Sequence, residues 1–324
     1  MQKYEALIIK SAIQWIKEKK DFFICTIISA KGASVRPLGS IFAYDGTNKI
    51  GFISEPRSDD AFCELLNEGY FKEDITTFTY GNQLLNKEKN LCLPCCGNVT
   101  LLVEKITPSS DMLKNFLIWN DLIKKRVGFQ RTINKENNKS TFITLPEYYK
   151  SEEKNVIKNE KSIQITYFPI IQVLIIGATP VAKHLAKQAS DLGFYVKLCE
   201  NRKLFLDNLV YEGVNNNFEL CKEASDLFVR KRVDKHTAVV ALAHDPSIDD
   251  DAISFSLNSN AFYVGAIGSS KNNNKRTKRL KNAGMNEIIL SKLRAPIGLM
   301  IHSQTPTEIA VSIIAELISL RHTL

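Results

Sequence analysis

Apolar side chains between residues 2 and 19 fall at Tyr4, Leu7, Ile8, Ala12, Trp15 and Ile16, the spacing of one helix face. The stretch FFICTIISA (22–30) is a continuous apolar run of strand length, followed by GASVRPLGS, whose Gly, Pro and Ser predict a loop. IFAYDG and KIGFIS flank Asp45-Gly46 and predict a hairpin. SDDAFCELLNE predicts a helix with Ser58 as its N-cap and acidic residues in its first turn. ITTFTY and VTLLVEKI predict further strands, so residues 1–108 read as a small α+β domain.

Residues 109–165 turn polar, with RTINKENNKSTF and KSEEKNVIKNEKS, and are expected to be a connecting region with some short structure and no chemistry of its own. From 166 to 324 the pattern changes again. IQVLIIGA is apolar at every position but one, the mark of a strand covered on both faces of a sheet. PVAKHLAKQASDLG predicts a helix closed by Gly193. FYVKLCE, TAVVALAHD, IDDDAISFSLNSN and AFYVGAIGSS continue a strand and helix alternation. TPTEIAVSIIAELISLRH predicts a final helix with Thr305 as N-cap, Pro306 at the first helical position and Glu308 completing a capping box. The fold class is therefore α/β: an α+β domain followed by a Rossmann-like, doubly wound parallel-sheet domain.

Composition adds limits. The 324 residues are 44% hydrophobic and 24% charged, enough for two cored domains. The net charge of +8 is spread along the chain, and no nucleic acid is expected as partner. Seven cysteines at irregular spacing argue against a disulfide framework and for a reducing, cytoplasmic setting. The N-terminus lacks a signal-peptide pattern, and no apolar run reaches membrane-span length.

Candidate chemistry falls in three places. VLIIGATPVA resembles a phosphate-binding strand–turn–helix, with Gly177 at the first glycine position and Ala182 at the third. Thr179 takes the second, where a Cβ obstructs close approach of a pyrophosphate. Glu200, about twenty residues on, occupies the ribose-binding position, and Arg202 offers a phosphate contact. The other reading makes Thr179 a plain N-cap in a domain that binds no nucleotide tightly. His244 and Asp245 lie at the carboxyl end of a strand, where open α/β sheets bind ligands, although Asp245 also suits a cap. Gly268, Ser269 and Ser270 precede a helix bearing Lys271, Lys275, Arg276 and Arg279, a pattern suited to phosphate or to a solvated basic face. The third place is LCLPCCGNV. Cys92, Cys95 and Cys96 give half of a zinc spacing with no second pair nearby. Thiolates at Cys95 and Cys96 suit a soft metal or a sulfur-rich ligand, with plain packing as the other reading. Cys25, Cys63, Cys199 and Cys221 read as small buried hydrophobes.

Several stretches together resemble the XdhC/CoxI accessory proteins, which serve xanthine dehydrogenase and related molybdenum hydroxylases. GASVRPLGSIFAYDG and CCGNVTLLVE are similar to that family's N-terminal loop, hairpin and Cys-Gly motif, with Cys96-Gly97 on the Cys-Gly. VLIIGATPVA, LGFYVKLCENR, ALAHD, YVGAIGSSKN and RAPIGLMI…TPTEIAVSIIAEL resemble its Rossmann half. The resemblance implies a chaperone, with no catalytic residues of its own, that binds molybdenum cofactor (molybdopterin). It implies help with sulfuration of that cofactor and its delivery to an apo molybdenum hydroxylase. Partners implied are that enzyme and a cysteine desulfurase, with the chain a homodimer and no membrane involved. Arg36 in the N-terminal loop joins the cofactor-binding candidates. So does Arg57, which stands in SEPRSDD where the family has Gly-Gly-Cys. The family's Gly-Ala-Gly-His reads GATP here, and Asn98 replaces its second Gly after Cys. The competing readings are an NAD(P)-dependent oxidoreductase and a divergent scaffold that has lost cofactor handling.

Overall fold

A computed structural model describes residues 3–31, 36–54, 56–81, 98–137, 139–146, 155–200, 202, 219–221 and 225–321. The chain divides into two compact units, Met1–Pro169 and Ile170–Leu324.

In the first unit, helix α1 (Lys3–Lys17) is followed by β1 (Phe22–Lys31) and the hairpin β2 (Ile41–Tyr44) and β3 (Lys49–Ile50). Asp45 shapes the hairpin turn by accepting from the N–H groups of Thr47 and Asn48, and Gly46 takes φ of 94°. Helix α2 (Pro56–Asn67), β4 (Ile75–Gly81) and β5 (Asn98–Ile106) complete an antiparallel sheet of order β3-β2-β1-β5-β4. Alternation along β1 sends Phe22, Ile24 and Ile28 to the face packed by α1, and Cys25 and Ile27 to the face packed by Phe62, Leu65 and Leu66 of α2. On α1 the buried residues are Glu5, Ile8, Ile9, Ala12, Ile13, Trp15 and Ile16, while Leu7 faces solvent. Ser58 is not the N-cap: Pro56 opens α2, Ser58 is buried inside its first turn, and Asp59 reaches back to the N–H groups of Ile53 and Ser54 at 3.1 Å.

Residues 109–165, expected as a connecting region, carry α3 (Ser110–Lys124) and most of a second antiparallel sheet within the first unit. Its strands β6 (Phe129–Asn134), β7 (Ser140–Thr144), β8 (Val156–Lys158) and β9 (Ser162–Tyr167) run in the order β7-β6-β9-β8. Along β6, every second residue is buried, which short length and Lys/Asn-rich turns hide in the sequence. One of those inward positions is Arg131, whose guanidinium makes two bonds of 2.6 and 3.0 Å to buried Glu104 and lies over Trp119.

The second unit is doubly wound. Strands β10 (Gln172–Ile176), β11 (Tyr195–Cys199), β12 (Glu219–Cys221), β13 (Thr237–Ala241), β14 (Tyr263–Ala266) and β15 (Leu293–Arg294) pair in parallel, in the order β12-β11-β10-β13-β14-β15. All residues of β10 and β13 are buried, as their apolar runs require of a sheet covered on both faces. Helices α4 (Pro180–Asp191) and α9 (Pro306–Arg321) pack on one face through Leu185, Ala189, Ile313 and Leu317. On the other face lie α5 (Ser225–Arg230), α6 (Pro246–Leu257) and α7 (Ser270–Asn282), with Phe228, Ala252, Ile253 and Leu280; the short α8 (Glu287–Leu290) follows. Among the described residues no helix is long and apolar enough to cross a membrane.

Candidate functional site

The strand order reverses direction between β10 and β13, and in such sheets the crevice at the carboxyl ends of those two strands is the ligand-binding position. Gly177 follows β10 there with φ of 90°, and a Cβ on it would stand 2.5 Å from Cα of Ala243. The glycine is thus required twice, by its backbone conformation and by the close approach of the β13 turn. Thr179 follows as N-cap of α4, its Oγ1 accepting from the N–H of Ala182 at 3.3 Å, with Pro180 at the first helical position. The cap reading of Thr179 therefore describes its geometry.

Glu200, in the ribose position, is buried and fully engaged. Its Oε2 accepts from the N–H of Ala178 at 2.9 Å and from Nη2 of Arg202 at 2.7 Å. Its Oε1 accepts from the backbone N–H and Nε of Arg202, each at 2.9 Å. A carboxylate has about four lone-pair sites, so these four donors fill it. Burial alone raises its pKa, but the Arg202 and Ala178 donors outweigh it and hold the carboxyl below its ordinary value. A ribose diol finds no acceptor left on Glu200, and Thr179 stands where a pyrophosphate needs glycine. Arg202 keeps about a quarter of its side chain exposed, and bonding to Glu200 together with the nearby charges of Asp245 and Asp249 strengthens its protonation.

Across the crevice, His244 leaves β13 with φ of 59°, exposed, in the left-handed region. Partial burial and then the charge of Arg276 lower its pKa, so the ring is neutral near pH 7. Asp245 is the N-cap of α6, accepting from the N–H and hydroxyl of Ser247 at 2.9 and 2.7 Å. The next turn places Gly268 at φ 149°, Ser269 as N-cap of α7 and Ser270 exposed at its first position. Three helix starts, those of α4, α6 and α7, thus meet the carboxyl edge of the sheet. At α6, Pro246 has no N–H and those of Ser247 and Ile248 go to Asp245, so the starts of α4 and α7 are the ones suited to an anion. Of the basic residues on α7, Lys271 and Lys275 are exposed, but Arg276 and Arg279 turn to acids on α6. Arg279 makes a bidentate bond to Asp250, and buried Arg276 lies 3.6 Å from both Asp249 and Asp250. Asp249 is the residue that sequence reasoning missed, and Arg276, read there as a base suited to phosphate, turns inward to it. The signal was present in the acidic run IDDDA, but only the fold brings it to α7.

The first-unit candidates are placed differently. Arg36 is 3% exposed, pairs with Glu5 at 2.8 Å and lies over the ring of Phe52, which makes it a core counter-ion. Arg57 is exposed on the first turn of α2. Cys95 and Cys96 lie outside the described residues, as does Cys92. Cys25, Cys63 and Cys199 are buried thiols, and burial pushes that of Cys63 up to about 12. Among the described residues no three His, Cys, Asp or Glu side chains are grouped to hold a metal ion.

The family model described as the XdhC Rossmann domain matches residues 173–317. The chain is 22% identical to the molybdenum cofactor insertion chaperone PaoD of Escherichia coli (strain K12), over 97% of this chain and 88% of PaoD. It is 29% identical to a probable xanthine dehydrogenase subunit of Bacillus subtilis (strain 168), over 47% of this chain and 44% of that protein. A crystal structure described as a xanthine dehydrogenase from Bacillus halodurans shares the fold, with a TM-score of 0.73 at 21% identity, covering 99% of this chain and 96% of that one. The family match lies within the second unit, so the crevice described above is that of an XdhC Rossmann domain.

Proposed function

We propose that this protein is an accessory chaperone for molybdenum cofactor, binding molybdopterin as cargo and presenting it to an apo molybdenum hydroxylase of the xanthine dehydrogenase type. The observation that carries this reading is the near full-length similarity to PaoD, which spans both units. The carboxyl edge of the second unit supports it chemically. Molybdopterin bears a phosphate, and the helix starts at Pro180 and Ser270, with Arg202 and Lys271, suit a phosphate better than a ribose diol. Glu200, already saturated, gives such a site little use for NAD(P). Assistance in sulfuration, contact with a cysteine desulfurase and a homodimeric state complete the proposal. Cys95 and Cys96 are the candidate soft ligands for the dithiolene-bound metal centre.

The test is co-expression with a molybdopterin-synthesising system, purification, and oxidative conversion of bound pterin to its fluorescent product. Retention near one pterin per chain is expected, with PaoD treated in parallel. Absence of pterin on this chain while PaoD retains it overturns the proposal. Replacement of both Cys95 and Cys96 by Ser is expected to lower retention, and unchanged retention removes the two thiols from the site.

A further inference from the structure

Asp249 is completely buried, one turn into α6, at the back of the crevice. Its Oδ1 accepts from the backbone N–H of Ala243 at 3.3 Å, and its Oδ2 has no hydrogen bond. The nearest cation is Arg276, whose Nη2 lies 3.6 Å from Oδ2. Arg276 is itself 6% exposed and is held from α7: its Nη1 donates to the carbonyl of Ile267 at 3.2 Å and to Oδ1 of Asn273 at 2.6 Å. Asn273 in turn donates to the carbonyl of Gly268 at 2.9 Å. One buried network therefore joins the turn after β13 to the turn after β14. The residue it grips, Ala243, is both the close neighbour of Gly177 and the residue before left-handed His244.

A buried carboxylate with one empty oxygen is costly, and apolar packing alone would not select it. We propose that Asp249, with Arg276 as counter-ion, is a positioning residue of the cargo site, holding Ala243–Asp245 in the kink that presents His244 at the carboxyl edge. The inference rests on the reading of that edge as the cargo site. The charges facing Asp249 are Arg276 from α7, Asp245 and Asp250 from its own helix, and Arg202 from the end of β11; Arg279 is taken up by Asp250. Burial first, and then the two neighbouring acids, push the Asp249 carboxyl up to about 6, against Arg276 and the Ala243 N–H. Proton uptake removes the charge that grips Ala243 and loosens the turn.

Hydrogen exchange on the full chain without cargo reads the turn directly. Asp249→Leu removes the acceptor at similar volume, and Asp249→Asn keeps an acceptor but no charge. Exchange at Ala243 is expected to be about tenfold or more faster in Asp249→Leu and intermediate in Asp249→Asn, as for loss of a charge-assisted bond. In the unmodified protein, exchange corrected for its intrinsic pH dependence rises as pH falls through about 6, and in Asp249→Asn it does not. Pterin retention falls in Asp249→Asn while its melting temperature at pH 7.5 does not, a split that a merely structural residue would not give. Unchanged protection of Ala243 in both variants, or in Asp249→Asn alone should Asp249→Leu not fold, overturns the inference. A wild-type chain that retains no pterin defeats the cargo reading instead, and the exchange result still decides the positioning role.

Discussion

The hydroxyl of Tyr263 on β14 donates to Oε2 of Glu316 on α9 at 2.6 Å, and the same oxygen accepts from the N–H of Gly298 at 2.9 Å. Both side chains are buried, so one carboxylate oxygen ties a strand, a loop and a helix together. One helical turn earlier, Ser312 donates from Oγ to the carbonyl of Leu299 at 2.6 Å. The spacing of Ser312 and Glu316 in SIIAEL thus has a physical reason: it sets two side chains on one face of α9 against the PIGL loop. Gly298 is required there, since it has φ of 91° and a Cβ would meet Ser312.

Tyr263→Phe leaves that Glu316 oxygen short of a donor in a buried place. A loss of about 1–3 kcal/mol in unfolding free energy is expected, measured by urea denaturation. A variant as stable as the parent would mean that the clasp contributes nothing net.

Gly177→Ala forces a Cβ against the backbone of Ala243 and asks a β-carbon to adopt φ of 90°. Neither strain is relieved by moving a flexible side chain, so about 3 kcal/mol or more is expected to be lost. The same denaturation experiment checks it, and a loss within about 0.5 kcal/mol would contradict the close approach.

Asp249 gives a pH dependence whose sign is fixed. Its folded-state pKa is raised from 3.8 to about 6, so the folded chain binds this proton more tightly than the unfolded one. Its contribution to stability is greatest below pH about 4 and is lost as pH rises through about 6. Asp249→Asn removes that downward component and is expected to match or exceed the parent above pH 7, by at most about 3 kcal/mol. Stability profiles of the two proteins from pH 4 to about 8 measure it, and profiles of identical slope would contradict the raised value.

Much of the fold is legible because local chemistry and global topology agree. Asp45-Gly46 makes its hairpin, and Thr305 with Glu308 forms the expected reciprocal cap, Glu308 accepting from the Thr305 N–H at 3.0 Å. The parallel sheet is written in apolar runs that no other architecture buries on both sides. The strands from Phe129 to Tyr167 are harder to see, because inward positions such as Arg131 are polar and find their partners only in the folded state. The site is read less well than the fold. Motif spacing brings Gly177, Glu200, His244 and Ser269 to one sheet edge, but it cannot show that Glu200 is saturated by Arg202 or that Arg276 turns inward to Asp249. Arg36 looks like a loop cation in the sequence and is in fact a buried partner of Glu5, thirty-one positions away.

The central claim is that an anionic pterin is held at the carboxyl edge of the parallel sheet. Ser270→Glu tests it most directly, because Ser270 is exposed at the first position of α7. An acidic side chain there favours the helix start but repels a phosphate. Molybdopterin retention is expected to fall about tenfold with the melting temperature unchanged or raised. Retention equal to that of the parent protein would place the cargo elsewhere and contradict the account.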